Sequence, residues 1–98
     1  MSDLNNPENA LAKLKTLVRE GSFEFAPRNK LHVTSKLAQV IVDTLSIDDF
    51  DSIGFDYNGT GDLVFVFISD DGIRYYIKFK FINSEMTVKF ISFHETEF

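Results

Sequence analysis

Tyr76, Lys78 and Lys80 fall at alternate positions of "YYIKFKF", Arg74 stands two residues before Tyr76, and His94 closes the next apolar stretch, "VKFISFHE". A phenol, ammonium groups, a guanidinium and an imidazole on one face of a sheet form a workable set for metal-free cleavage of RNA. In that reaction a base takes the proton of the ribose 2′-hydroxyl, cations stabilise the charge on the phosphate, and an acid protonates the departing 5′ oxygen. Histidine, whose charge changes near neutral pH, suits either proton role. Tyr76, Lys78 and His94 are the candidate catalytic residues, with Arg28, Arg74 and Lys80 as candidate substrate contacts. The same residues also fit a solvated face. Lysine on the wet side of a sheet guards against edge pairing, and tyrosine often covers such a face with its ring.

The strands that carry these residues read from period-two alternation. Over 73–82, Ile73, Tyr75, Ile77, Phe79 and Phe81 share one side, and Arg74, Tyr76, Lys78 and Lys80 share the other. His94 has Ser92, Phe90 and Val88 as its period-two partners, so it flanks Tyr76 only if the register aligns them. Upstream, "LVFVFIS" reads as a strand apolar on both faces, "SIGFDY" as a strand, "NGTGD" as a hairpin turn and "DDG" as a tight turn. "SFEFAP" reads as a short edge strand ended by Pro27.

Two helices precede them. Asn6-Pro7-Glu8 combines a capping side chain, a proline suited to a first turn and an acid near the positive end of the dipole. Ala10, Leu11, Leu14, Leu17 and Val18 then recur at three- and four-residue spacing, and Gly21 is placed to stop the helix. Thr34 or Ser35 caps a second helix running to about Leu45, and Ser46-Ile47-Asp48-Asp49 repeats a capping pattern. The expected fold is α+β: one domain over residues 1–98, with two N-terminal helices packed on one face of an antiparallel β-sheet.

Composition narrows the function classes. The 98 residues include no cysteine and two well-separated histidines, His32 and His94, so neither disulfides nor a metal site is expected. No apolar run reaches the length of a membrane span, and "MSDLNNPENA" lacks the basic and apolar regions of a signal peptide, which points to a cytoplasmic protein. The net charge of −5 argues against a broad basic surface. That charge is uneven: residues 1–36 sum to +2, residues 37–62 carry six Asp and no Lys or Arg, and residues 63–98 sum to −1. The acidic segment 43–62 supports a second reading, a non-enzymatic protein that engages a basic partner through Asp48, Asp49, Asp51 and Asp56 in imitation of nucleic-acid charge.

Taken together, "LAKLKTLVREGSFEFAPRNK", "LSIDDF", "DYNGTGDLVFVF", "YYIKFKF" and "VKFISFHETEF" resemble, in order and wording, the MqsR family of toxins from bacterial type II toxin-antitoxin systems. The resemblance covers most of the chain, and "ISFHE" is its most specific fragment. It implies a small-ribonuclease-toxin fold, metal-independent endonucleolytic cleavage of mRNA without a cofactor, and neutralisation by a cognate antitoxin. Tyr76 and Lys78 match the family's "Y-[IL]-K" strand, His94 its basic residue after "SF", and Arg28 a basic position after the first strand. The chain departs from the family at Phe50-Asp51-Ser52, where members tend to carry a lysine. It departs again at Val64–Phe67, where a polar catalytic side chain is expected, and in a shorter segment between Arg28 and Thr34.

Overall fold

A computed structural model describes residues 6–27, 32–56 and 61–96. Helix α1 spans Pro7–Arg19, strand β1 Phe23–Phe25 and helix α2 Ser35–Thr44. A single 3₁₀ turn, Ile47–Asp49, leads into β2 (Phe50–Phe55), β3 (Leu63–Asp71), β4 (Ile73–Ile82) and β5 (Thr87–Glu95).

The helix ends follow local chemistry. The Asn6 side chain accepts from the backbone N–H groups of Glu8 (2.8 Å) and Asn9 (3.4 Å), and Pro7 occupies the first turn, where no amide donor is needed. At the other end Gly21 adopts φ +82°, which lets Ser22 N–H reach the Leu17 carbonyl (2.8 Å) and Gly21 N–H that of Val18 (3.0 Å). This paired closure of the last turn needs a left-handed residue just past the helix. Thr34 caps α2 by accepting from Leu37 N–H, and the Asp49 carboxylate accepts from Ser46 N–H at 2.9 Å. Replacing Asn6 with Ala should cost about 1 kcal/mol, because two amide donors lose their acceptor. A lowered urea midpoint with unchanged slope checks it.

Among the described residues the sheet has five strands in the order β1-β5-β4-β3-β2. It is mixed, and so corrects the antiparallel expectation: β2 to β5 form an antiparallel meander, but β1 lies parallel to β5, with Phe23 opposite Val88 and Phe25 opposite Phe90. Parallel pairing needs a long connection, here everything from α2 to β4. Buried residues of both helices, among them Leu14, Val18, Ala38 and Val42, form one apolar cluster with Phe65, Phe67, Ile77, Phe79, Phe90 and Phe93 of the sheet. Its aromatic rings meet edge-on or stacked at centroid distances such as 5.5 Å for Phe65–Phe79 and 5.0 Å for Phe90–Phe93. Val64 and Val66 are also buried but lie outside that cluster, as expected for a β3 apolar on both faces, and Ile91 of β5 is buried outside it too.

The β4–β5 turn is strained. Asn83, Ser84 and Glu85 all have positive φ (54°, 58° and 67°), a conformation that L-residues visit singly and at a cost. Asn tolerates it best, which leaves Ser84 and Glu85 as the costly positions. Ser84→Gly should stabilise the fold by about 0.5–1 kcal/mol, read as a rise in thermal midpoint.

Among the described residues no helix is long and apolar enough to cross a membrane.

Candidate functional site

The position of His94 depends on a bulge. From Lys80↔Lys89 to Phe79↔Phe90 the β4–β5 register is regular; it then shifts, so that Lys78 faces Ser92, Ile77 faces Phe93 and Tyr76 faces His94. Ile91 is the extra residue on β5. A one-residue slip moves each later side chain to the opposite face. Val88, Phe90 and Phe93 therefore all enter the core, while Ser92 and His94 turn to the other side. Simple alternation grouped His94 with Phe90 and Val88, and the bulge separates them.

Tyr76 and His94 are thus directly opposite each other on adjacent strands. Their rings stack at 5.6 Å with 28° between planes. His94 Nδ1 lies 2.8 Å from the Glu95 carbonyl oxygen, which can only accept, so Nδ1 carries the proton. In the neutral ring the lone pair is then on Nε2. Lys78 is two residues from Tyr76 on the same face, about 7 Å along the strand, and faces Ser92 across the ladder. On β3 the same rows continue as Ile68 opposite Tyr76 and Val66 opposite Lys78, and on β2 Ser52 stands opposite Val66. Behind the polar groups is an apolar floor. Sequence reasoning did not single out Ser92, Val66 or Ile68; their place follows from the bulge and from β3 being apolar on both faces.

The remaining candidates are placed differently. Arg74 shares this face of β4 and donates to the Asp70 carboxylate (3.0 Å) at the outer end of the β3–β4 hairpin. Lys80 is 7% exposed, and its ammonium is held by Asp56 (2.8 Å) and Asp62 (3.6 Å). Its hydrogen bond to Asp56 holds the Lys80 pKa above the ordinary 10.5, against the opposing effect of burial and with further help from the charges of Asp56 and Asp62. These contacts fasten the base of the β2–β3 turn, where Asp56 N–H also donates to the Asp62 carbonyl (2.9 Å). Arg28 lies outside the described residues, as does most of "NGTGD". His32 borders the Arg28 segment. Its Nε2 donates to the Ala26 carbonyl (3.0 Å), its ring lies 5.1 Å from Phe25, and its Nδ1 is buried with no hydrogen-bond partner among the described residues.

In the acidic segment, several carboxylates serve the chain itself. Asp43 pairs with Arg19, Asp49 caps the 3₁₀ turn, Asp51 accepts from the Ser52 hydroxyl, and Asp56 and Asp62 hold Lys80. Asp48 is exposed. Among the described residues no three His, Asp or Glu side chains converge so as to hold a metal ion.

No protein-family model, no curated protein and no solved structure matches the chain.

Proposed function

We propose that this chain is a metal-independent endoribonuclease that cleaves RNA by attack of the ribose 2′-hydroxyl, in the manner of the mRNA-cleaving toxins its sequence resembles. The observation that carries the reading is the stacked Tyr76–His94 pair, with Lys78 beside it on the same face. His94 Nε2 takes the proton of the 2′-hydroxyl, and the 2′ oxygen forms its bond to phosphorus. Lys78 stabilises the charge that gathers on the non-bridging oxygens. As the bond from phosphorus to the 5′ oxygen breaks, the Tyr76 phenol supplies the proton to the departing oxygen. The products are a 2′,3′-cyclic phosphate and a free 5′-hydroxyl. A cognate antitoxin and a cytoplasmic site of action belong to the same reading, as does an architecture of two helices backing one sheet face and leaving Tyr76, Lys78 and His94, each half-buried, on the other.

Within this reading Lys80 is a structural group, since Asp56 and Asp62 occupy its ammonium. The acidic-mimic alternative gains no specific support, because most of its carboxylates have intramolecular partners. The test is incubation of purified protein with a long single-stranded RNA in excess EDTA. Fragments ending in a 2′,3′-cyclic phosphate are expected; intact RNA overturns the assignment.

A further inference from the structure

A cleft of about 500 Å³ lies between α1 and α2, remote in the fold from the Tyr76–His94 face. Its floor is the buried pair Val18 and Val42, and the Gln39 side chain, donating to the Val18 carbonyl (3.1 Å), ties the two helices together beneath it. Among the described residues, Lys15, Arg19 and Lys36 stand around the opening against a single carboxylate, Asp43. The cleft therefore carries a local charge of +2 on a chain whose net charge is −5. Asp43 draws in two of the cations: Lys15 donates to its carbonyl (3.2 Å) and Arg19 to its carboxylate (3.1 Å). That ion pair is 69% and 65% exposed, so exchanging Asp43 for another carboxylate costs little.

The apolar surface continues beyond the cleft. Val40, on its edge, is 57% exposed, and Leu37, one helical turn away, is 38% exposed. Aliphatic side chains one turn apart, beside an apolar cleft with a cationic rim, match the way a groove accepts an amphipathic helix. We propose that the α1–α2 cleft docks an acidic amphipathic helix of a partner protein, its aliphatic side chains seated on Val18, Val40 and Val42 and its carboxylates meeting Lys15, Arg19 and Lys36. Charge selects the occupant. An acidic segment is repelled by the chain as a whole and attracted here, which confines docking to this cleft.

The test uses the full ¹⁵N-labelled chain and a peptide of about 16 residues with Leu at helical spacing and Glu between, long enough to form a helix. A control peptide carries Lys in place of every Glu. Saturable amide shifts limited to residues 15–19 and 36–44, absent with the control and fading at high salt, are expected. Val40→Asp, at an exposed position that should leave the fold intact, should weaken binding about tenfold or more. Unsaturable shifts, shifts centred elsewhere, equal binding of the control or an unaffected Val40→Asp variant would each overturn the proposal. So would cleft shifts that appear on concentrating the protein alone, which would make a second copy of the chain the occupant.

Discussion

RNA mixed with the His94→Ala chain should remain uncut over times in which the parent degrades it, a loss of about 10²–10⁴-fold. The imidazole is the base in the proposed reaction, and its protonated Nδ1, fixed by the Glu95 carbonyl, leaves only Nε2 to accept a proton. The ring lies outside the apolar cluster and loses chiefly its stacking on Tyr76, so its removal should change unfolding free energy by about 1 kcal/mol, too little to unfold the chain. That separates lost chemistry from lost structure. Tyr76→Phe keeps the ring beside His94 and removes only the phenol, so a loss of about 10²-fold isolates the proton donor. Single-turnover rates on one defined RNA provide the measurement. A His94→Ala chain that cleaves at the parental rate leaves the mechanism without a base, and the ribonuclease reading fails with it.

Lys80→Met should lower stability by about 2–3 kcal/mol, measured by urea denaturation. The change removes the ammonium that Asp56 and Asp62 share. The cost falls below that of a fully buried pair because Asp56 and Asp62 keep 22% and 48% of their side-chain surface exposed and recover some hydration. Adding Asp56→Asn should return part of the loss, and the double-mutant cycle gives the coupling. The pH dependence has a definite sign. The Lys80 pKa is raised in the folded state, so its contribution is complete below the ordinary value of 10.5 and is lost as pH rises through the folded-state value. The parent should therefore lose stability in strong alkali in a way that Lys80→Met does not. Cleavage in Lys80→Met, assayed where the variant is still folded, should stay within a few-fold of the parent if Lys80 serves the turn and not the substrate.

Helix α1 was legible because every signal for it is local: Asn6 and Pro7 at its start, the apolar stripe, and Gly21 at its end. The same holds for α2 with Thr34 and for the meander, where a period of two and short turns leave few alternatives. The β1–β5 pairing was not legible. Three residues such as Phe23–Phe25 show that a strand exists but not its partner or direction, which depend on how α1 and α2 pack. The site was legible in its residue types and only conditionally in its geometry. Tyr76 and Lys78 follow from alternation, but His94 reaches them through the extra residue at Ile91. Nothing in "FISFHE" marks that bulge locally. It arises because Phe90 and Phe93, an odd number of positions apart, both find space in the core. The pairing of Lys80 with Asp56 and Asp62 was hidden for a similar reason, since 24 residues separate Lys80 from Asp56 in sequence and it takes both the β2–β3 and the β3–β4 pairings to bring them together.

The strand order has a consequence for the chain during its synthesis. β5, which follows the other described strands in chain order, lies inside the sheet between β1 and β4. A ribosome-bound chain whose β5 is still in the exit tunnel has its first strand without a neighbour and Tyr76 without an imidazole to face. Folding must then close the β1–β5 contacts across a long stretch of sequence after the other strands have formed, which favours slow folding.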